Sequence, residues 1–160
     1  MPNRNPLHQR RSQAGFTLAE LVTVAAIMGI LALVTLPVAK FTVKRSREAD
    51  LRLALRQMRS AIDEYKRYSD AGLLTVDLGT EGYPKKLELL VEGVEVVGQV
   101  DKKLKFLRRI PIDPMTGKDE WGLRSFQDEF DSDSWGGENV YDVYSLSEAV
   151  GLNGVPYRKW

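Results

Sequence analysis

The chain has 160 residues, 43% of them hydrophobic and 28% charged, with a formal net charge of +1. That length suits one ordinary domain, and the near-balance of charge argues against nucleic acid as the principal partner, because a phosphate-binding surface needs a clear basic excess. There is no cysteine and one histidine, His8, so disulfides and thiol chemistry are excluded and a histidine triad or zinc site would rest on that single side chain. The composition points away from an enzyme.

Residues 1–15 hold two prolines, two asparagines and three arginines (Arg4, Arg10, Arg11) with no acid, and are expected to form a short disordered basic arm. Three of the 23 basic side chains fall there, leaving 20 against 22 acidic ones from Phe16 onward. The stretch that follows, Gly15 to Ala39, is apolar except for Glu20, and Leu21 to Ala39 is a run of nineteen uncharged residues. As a helix, that run is about long enough to cross a hydrocarbon core of roughly 30 Å. A carboxylate at the end of such a segment is costly unless something pairs with it, so Glu20 is a functional candidate by default. Pro37 lies near the far end, where a missing backbone donor and a crowded ring predict a helix kink.

Helical periodicity continues past Ala39. Leu51, Leu55, Met58, Ile62 and Tyr65 recur at spacings of four, three, four and three, with Ala54, Ala61 and Tyr68 on the same face and Arg52, Arg56, Arg59, Asp63, Lys66 and Arg67 elsewhere. One helix from Phe16 to about Tyr68 is expected, with a glycine stop near Gly72. Pro84 suits the first turn of a short helix that buries Leu87, Leu90 and Val91 and ends at Gly93.

Residues 94–110 give no clear pattern, though Phe106, Leu107 and Ile110 should fold onto the long helix. Pro111 and Pro114 mark a tight turn. Two strands, Trp121–Phe126 and Val140–Leu146, are expected from their aromatic and β-branched residues, with an acidic, glycine-rich loop over 127–139 between them. A long helix followed by a small antiparallel sheet is an α+β layout. Tyr83, Trp121, Trp135, Tyr141, Tyr144 and Trp160 read as packing for that sheet rather than as a carbohydrate or DNA surface, since no basic strip accompanies them.

Three plain readings of residues 1–39 compete. A cleaved secretory signal has a shorter apolar core and a better small-x-small cleavage site than Pro37-Val38-Ala39. A simple membrane anchor explains the length but leaves Glu20 an accident. A buried core helix does not suit nineteen unbroken uncharged residues. Charge bias does not settle topology, because Lys40, Lys44, Arg45 and Arg47 flank one end and the leader arginines the other.

Gly15-Phe16-Thr17-Leu18-Ala19-Glu20-Leu21 resembles the prepilin signature shared by type IV pilins and the pseudopilins of type II secretion. The resemblance implies a basic leader, 1–15, cut after Gly15 by a prepilin peptidase, with N-methylation of the new first residue, Phe16. It further implies a transmembrane and filament-core helix, 16–39, and a periplasmic pilin-like domain, 40–160, on an inner-membrane protein that crosses once. Cleavage creates a positive α-amine at Phe16, one helical turn from Glu20. In a filament the Glu20 carboxylate can pair with the amine of a neighbouring Phe16, fixing the register of each incoming subunit more surely than adding stability.

Further along, Gly82-Tyr83-Pro84, Arg108 to Pro114, Trp121-Gly122 and Tyr141 to Ser145 follow the order seen in major, G-type pseudopilins. That resemblance implies a structural subunit of a pseudopilus driving protein secretion. Its partners would be further copies of itself in a helical filament, minor pseudopilins and an inner-membrane assembly platform, with no nucleic acid. The chain departs from the G-type pattern after the Tyr144-Ser145 motif, where Leu146 to Gly154 lacks the aspartates that bind calcium in that group. Acids cluster earlier instead. Asp131, Asp133 and Asp142, with Gly136, partly imitate a twelve-residue calcium loop, and a solvated acidic loop is the alternative. The open alternatives for function are a type IV pilin of a surface fibre, serving adhesion, motility or DNA uptake, and a lone membrane-anchored periplasmic binding domain.

Overall fold

A computed structural model describes residues 15–99 and 102–160, and omits the side chains of residues 34–37 within the long helix. The basic arm apart from Gly15 therefore lies outside the described residues, as does the Pro37 side chain at the expected kink. The chain divides into two compact units, 1–41 and 42–160. Helix α1, Leu18–Asp70, is 53 residues long and contributes to both.

In the 42–160 unit the apolar stripe of α1 forms the centre of the core. Leu51, Met58 and Ile62 are fully buried, and Leu55 and Tyr65 are nearly so, with Ala54 and Ala61 between them. Each large side chain of this kind gives roughly 1.5–3 kcal/mol on burial, which is what orders the loop-rich remainder against the helix. Helix α1 ends where Gly72 takes φ 69°, a left-handed conformation that favours glycine. The Gly72 N–H donates to the Ser69 carbonyl and the Leu73 N–H to that of Tyr68, closing the last turn.

Helix α2, Leu89–Glu92, is a single turn, stopped by Gly93 at φ 90°. The expected start at Pro84 is corrected: Pro84 is buried and its carbonyl instead accepts from the Val140 N–H at 2.7 Å. Leu87 and Leu90 enter the core as expected.

The sheet is two separate antiparallel ladders. Strands β1 (Val94–Glu95) and β2 (Lys103–Leu104) pair with each other. They occupy the region without a readable sequence pattern, being too short to show alternation. Strands β3 (Gly122–Arg124) and β4 (Asp142–Tyr144) pair in the register Gly122↔Tyr144, Leu123↔Val143 and Arg124↔Asp142. These are the two expected strands, shortened at both ends. Phe106 packs edge-on against Tyr65 and Tyr68 of α1, while Leu107 and Ile110 are half-buried beside the core.

The turn after Pro111 is built on Asp113, a fully buried residue. Its carbonyl accepts from the Gly117 N–H at 2.7 Å, and its carboxylate accepts from the Met115 N–H at 2.8 Å and the Ser145 hydroxyl at 2.6 Å.

The aromatic residues divide. Trp121 and Tyr144 are buried core members, as expected. Tyr141 and Trp135 are 46% and 40% exposed, so the packing role does not extend to them. Tyr141 instead meets Tyr83 and Phe126 at the surface, with ring centroids 5.3 and 5.5 Å away.

Candidate functional site

Gly15, Phe16 and Thr17 precede α1 in irregular backbone. The helix start is set by Thr17: its hydroxyl oxygen accepts from the Glu20 N–H at 3.2 Å and its carbonyl from the Leu21 N–H at 3.1 Å. Thr17 is thus the N-cap, and Thr17-x-x-Glu20 has the spacing of a capping box. That signal stood in the sequence beside the residues singled out there, and sequence reasoning missed it. The cap keeps the Gly15–Phe16 peptide outside the helix. Phe16 is 76% exposed, and among the described residues nothing lies within 4 Å of a side chain placed at Gly15.

Glu20 falls in the first turn of α1, where the helix dipole favours a negative charge. Among the described residues its carboxylate makes no ion pair. Beyond it the apolar side chains stand open: Leu21, Val22, Ile27, Met28, Ile30, Leu31 and Leu33 are all more than half exposed. Thr23 turns its hydroxyl inward, donating to the Ala19 carbonyl at 2.7 Å, which removes a polar group from that surface. By length and composition this helix can cross a membrane, and none of its most apolar window is buried by the protein. The chemistry on offer here is an exposed residue ahead of the helix, a carboxylate in its first turn and an open apolar helix surface.

Residues 10–36 match the family model described as the prokaryotic N-terminal methylation motif. The chain carries a methylation motif over the segment that holds Gly15, Phe16 and Glu20. It is also similar to the fimbrial protein EcpC of Eikenella corrodens, 38% identical over 73 residues. That match covers 46% of each chain, so it spans about half the length of the curated relative. No solved structure matches. The motif and the fimbrial relative together support a pilin-type chain.

The acids proposed for calcium are not gathered into a ligand set. Asp142 accepts from Arg59 Nε at 2.6 Å and lies 3.6 Å from Arg124, Asp133 pairs with Arg158 at 3.0 Å, and Asp131 stands 4.0 Å from Lys159. Among the described residues no group of three or more His, Cys, Asp or Glu is placed to hold a metal. Each of the three aspartates faces an arginine or lysine instead.

The loop is organised from within instead. Asp128 accepts from the backbone N–H groups of Ser125 at 2.7 Å and Gly136 at 3.1 Å, and these bonds hold its carboxyl below the usual range.

A second polar centre ties residues 150–160 to α1. Glu48 is buried, and its carboxylate accepts from the Leu152 N–H at 2.7 Å and the Tyr157 hydroxyl at 3.0 Å. Lys44 donates to the Val150 carbonyl at 2.7 Å. Burial, followed by the hydrogen bond to Glu48, pushes the Tyr157 phenol up to about 12. Sequence gave no hint of this centre, because its partners are more than a hundred residues apart.

Proposed function

We propose that this chain is the structural subunit of a helical filament assembled at the bacterial inner membrane, the pseudopilus of type II protein secretion. The observation that carries the reading is the capped, exposed Gly15–Phe16 junction leading into an apolar helix with a single carboxylate, Glu20, in its first turn. A carboxylate at the start of a membrane helix of nineteen uncharged residues is costly, and the helix dipole offsets only part of that cost unless a positive group arrives to meet it. Cleavage after Gly15 by a prepilin peptidase generates that group at Phe16, and methylation of the amine keeps its charge.

The apolar surface serves first as a single-pass anchor with the 42–160 unit in the periplasm. It then becomes the filament core, where lipid is replaced by neighbouring copies. Minor pseudopilins and an inner-membrane platform would start and drive growth. The subunit itself performs no chemistry.

A surface-fibre pilin is the second reading, favoured by the similarity to a fimbrial protein. Deleting the chain separates the two. Loss of exoprotein secretion with surface fibres intact supports the pseudopilus. Loss of surface fibres with secretion intact supports the pilus and overturns the first assignment.

A further inference from the structure

A groove of about 650 Å3 on the 42–160 unit runs between α1 and residues 153–160. Val155 and Trp160 supply most of its apolar surface, four cations (Arg52, Arg56, Arg59 and Lys159) line it, and no Asp or Glu side chain does. Arg52, Arg56 and Arg59 follow one helical stripe at i, i+4 and i+7. Arg59 is already engaged by Asp142 and by the Trp160 carbonyl, and Lys159 is near Asp131.

Arg52 and Arg56 have no carboxylate partner among the described residues. The Arg52 guanidinium lies 4.4 Å above the Trp160 ring, and Arg56 Nε donates to the Arg52 carbonyl at 3.3 Å. Two like charges one turn apart disfavour the helix, and an anion seated between them would relieve that repulsion.

The complementary group is on the same unit. Residues 127–138 contain five acids and no base. Glu129 is exposed and without an ion pair among the described residues, and Phe130 next to it is 86% exposed. An acid beside an open aromatic ring matches a groove of unpaired arginines around an indole.

We propose that the 127–138 loop of one copy docks in this groove of a second copy, with Glu129 between Arg52 and Arg56 and Phe130 against Trp160 and Val155. Where one loop fills one groove head-to-tail, rather than two copies doing so reciprocally about a two-fold axis, each contact leaves a free loop on one copy and a free groove on the other. That head-to-tail arrangement propagates rather than closes. The inference rests on the filament reading and names a contact between the globular units of successive subunits.

The test places photoreactive benzoylphenylalanine at position 130 of the full-length protein, irradiates native membranes and inspects filaments by electron microscopy in parallel. The expected product is a covalent dimer whose adduct maps to residues 49–56 or 153–160. Arg52→Glu with Arg56→Glu should lower its yield roughly tenfold or more through like-charge repulsion, and Glu129→Arg added to that pair should restore it. All three positions are exposed, so folding is not at stake.

Filaments without the dimer, or an adduct to another patch or another protein, overturn the contact. A correctly mapped dimer in the absence of filaments leaves the contact standing and counts against the filament reading. Absence of both overturns both.

Discussion

Tyr157 and Glu48 form a buried polar pair in the 42–160 unit, and their bond depends on the phenol keeping its proton. Folding raises the Tyr157 pKa to about 12 from an ordinary 10. The stability this contributes is complete below pH 10 and is lost as pH rises from 10 towards 12. Tyr157→Phe should therefore cost about 1.5–3 kcal/mol at neutral pH, as for a hydrogen bond to a charged group, and should flatten the loss of stability above pH 10. Denaturant titrations of both proteins at pH 8 and pH 11 check this, and equal alkaline losses in the two would contradict it.

Asp128 behaves in the opposite sense. Its lowered pKa adds stability above the ordinary carboxylate range, which is lost as pH falls through the folded value.

At the level of elements, the β3–β4 ladder makes a sharp demand on one position. A side chain at Gly122 would run into the Tyr144 ring across the ladder. Gly122→Ala should therefore cost about 1–3 kcal/mol by overpacking, read as a drop in thermal midpoint.

The 127–139 loop carries a different expectation. Asp133, Asp131 and Asp128 are engaged by Arg158, Lys159 and backbone N–H groups respectively, so millimolar calcium should leave the melting temperature unchanged. A clear upward shift would show a site that the paired aspartates do not reveal.

What was legible at this scale followed periodicity. The stripe from Leu51 to Tyr65 and the two longer strand candidates were readable because several residues repeat one spacing. Strands β1 and β2 were not, since a two-residue ladder leaves no repeat to detect. The three aspartates suggested calcium because spacing in the chain says nothing about which arginines fold against them.

For the whole molecule, the amino-terminal segment was the most legible part, because membrane length and a misplaced charge are both properties of sequence alone. The Thr17 cap and the Glu48 centre needed coordinates: the first was overshadowed by the acid it caps, and the second joins distant residues.

If Glu20 neutralises the α-amine of a neighbouring Phe16, then Glu20→Ala should leave processing intact while filaments become few and short. Breaking a buried pair by removing one partner costs on the order of 3–5 kcal/mol. Filaments of normal length and abundance from that variant would contradict the pairing.

The most direct measurement is mass spectrometry of the amino terminus of the full-length protein recovered from cells that contain the prepilin peptidase. The expected mature chain begins at Phe16 with one methyl group on its α-amine. A mature chain that still retains residues 1–15 would leave Glu20 without its partner and would contradict the filament reading at its base.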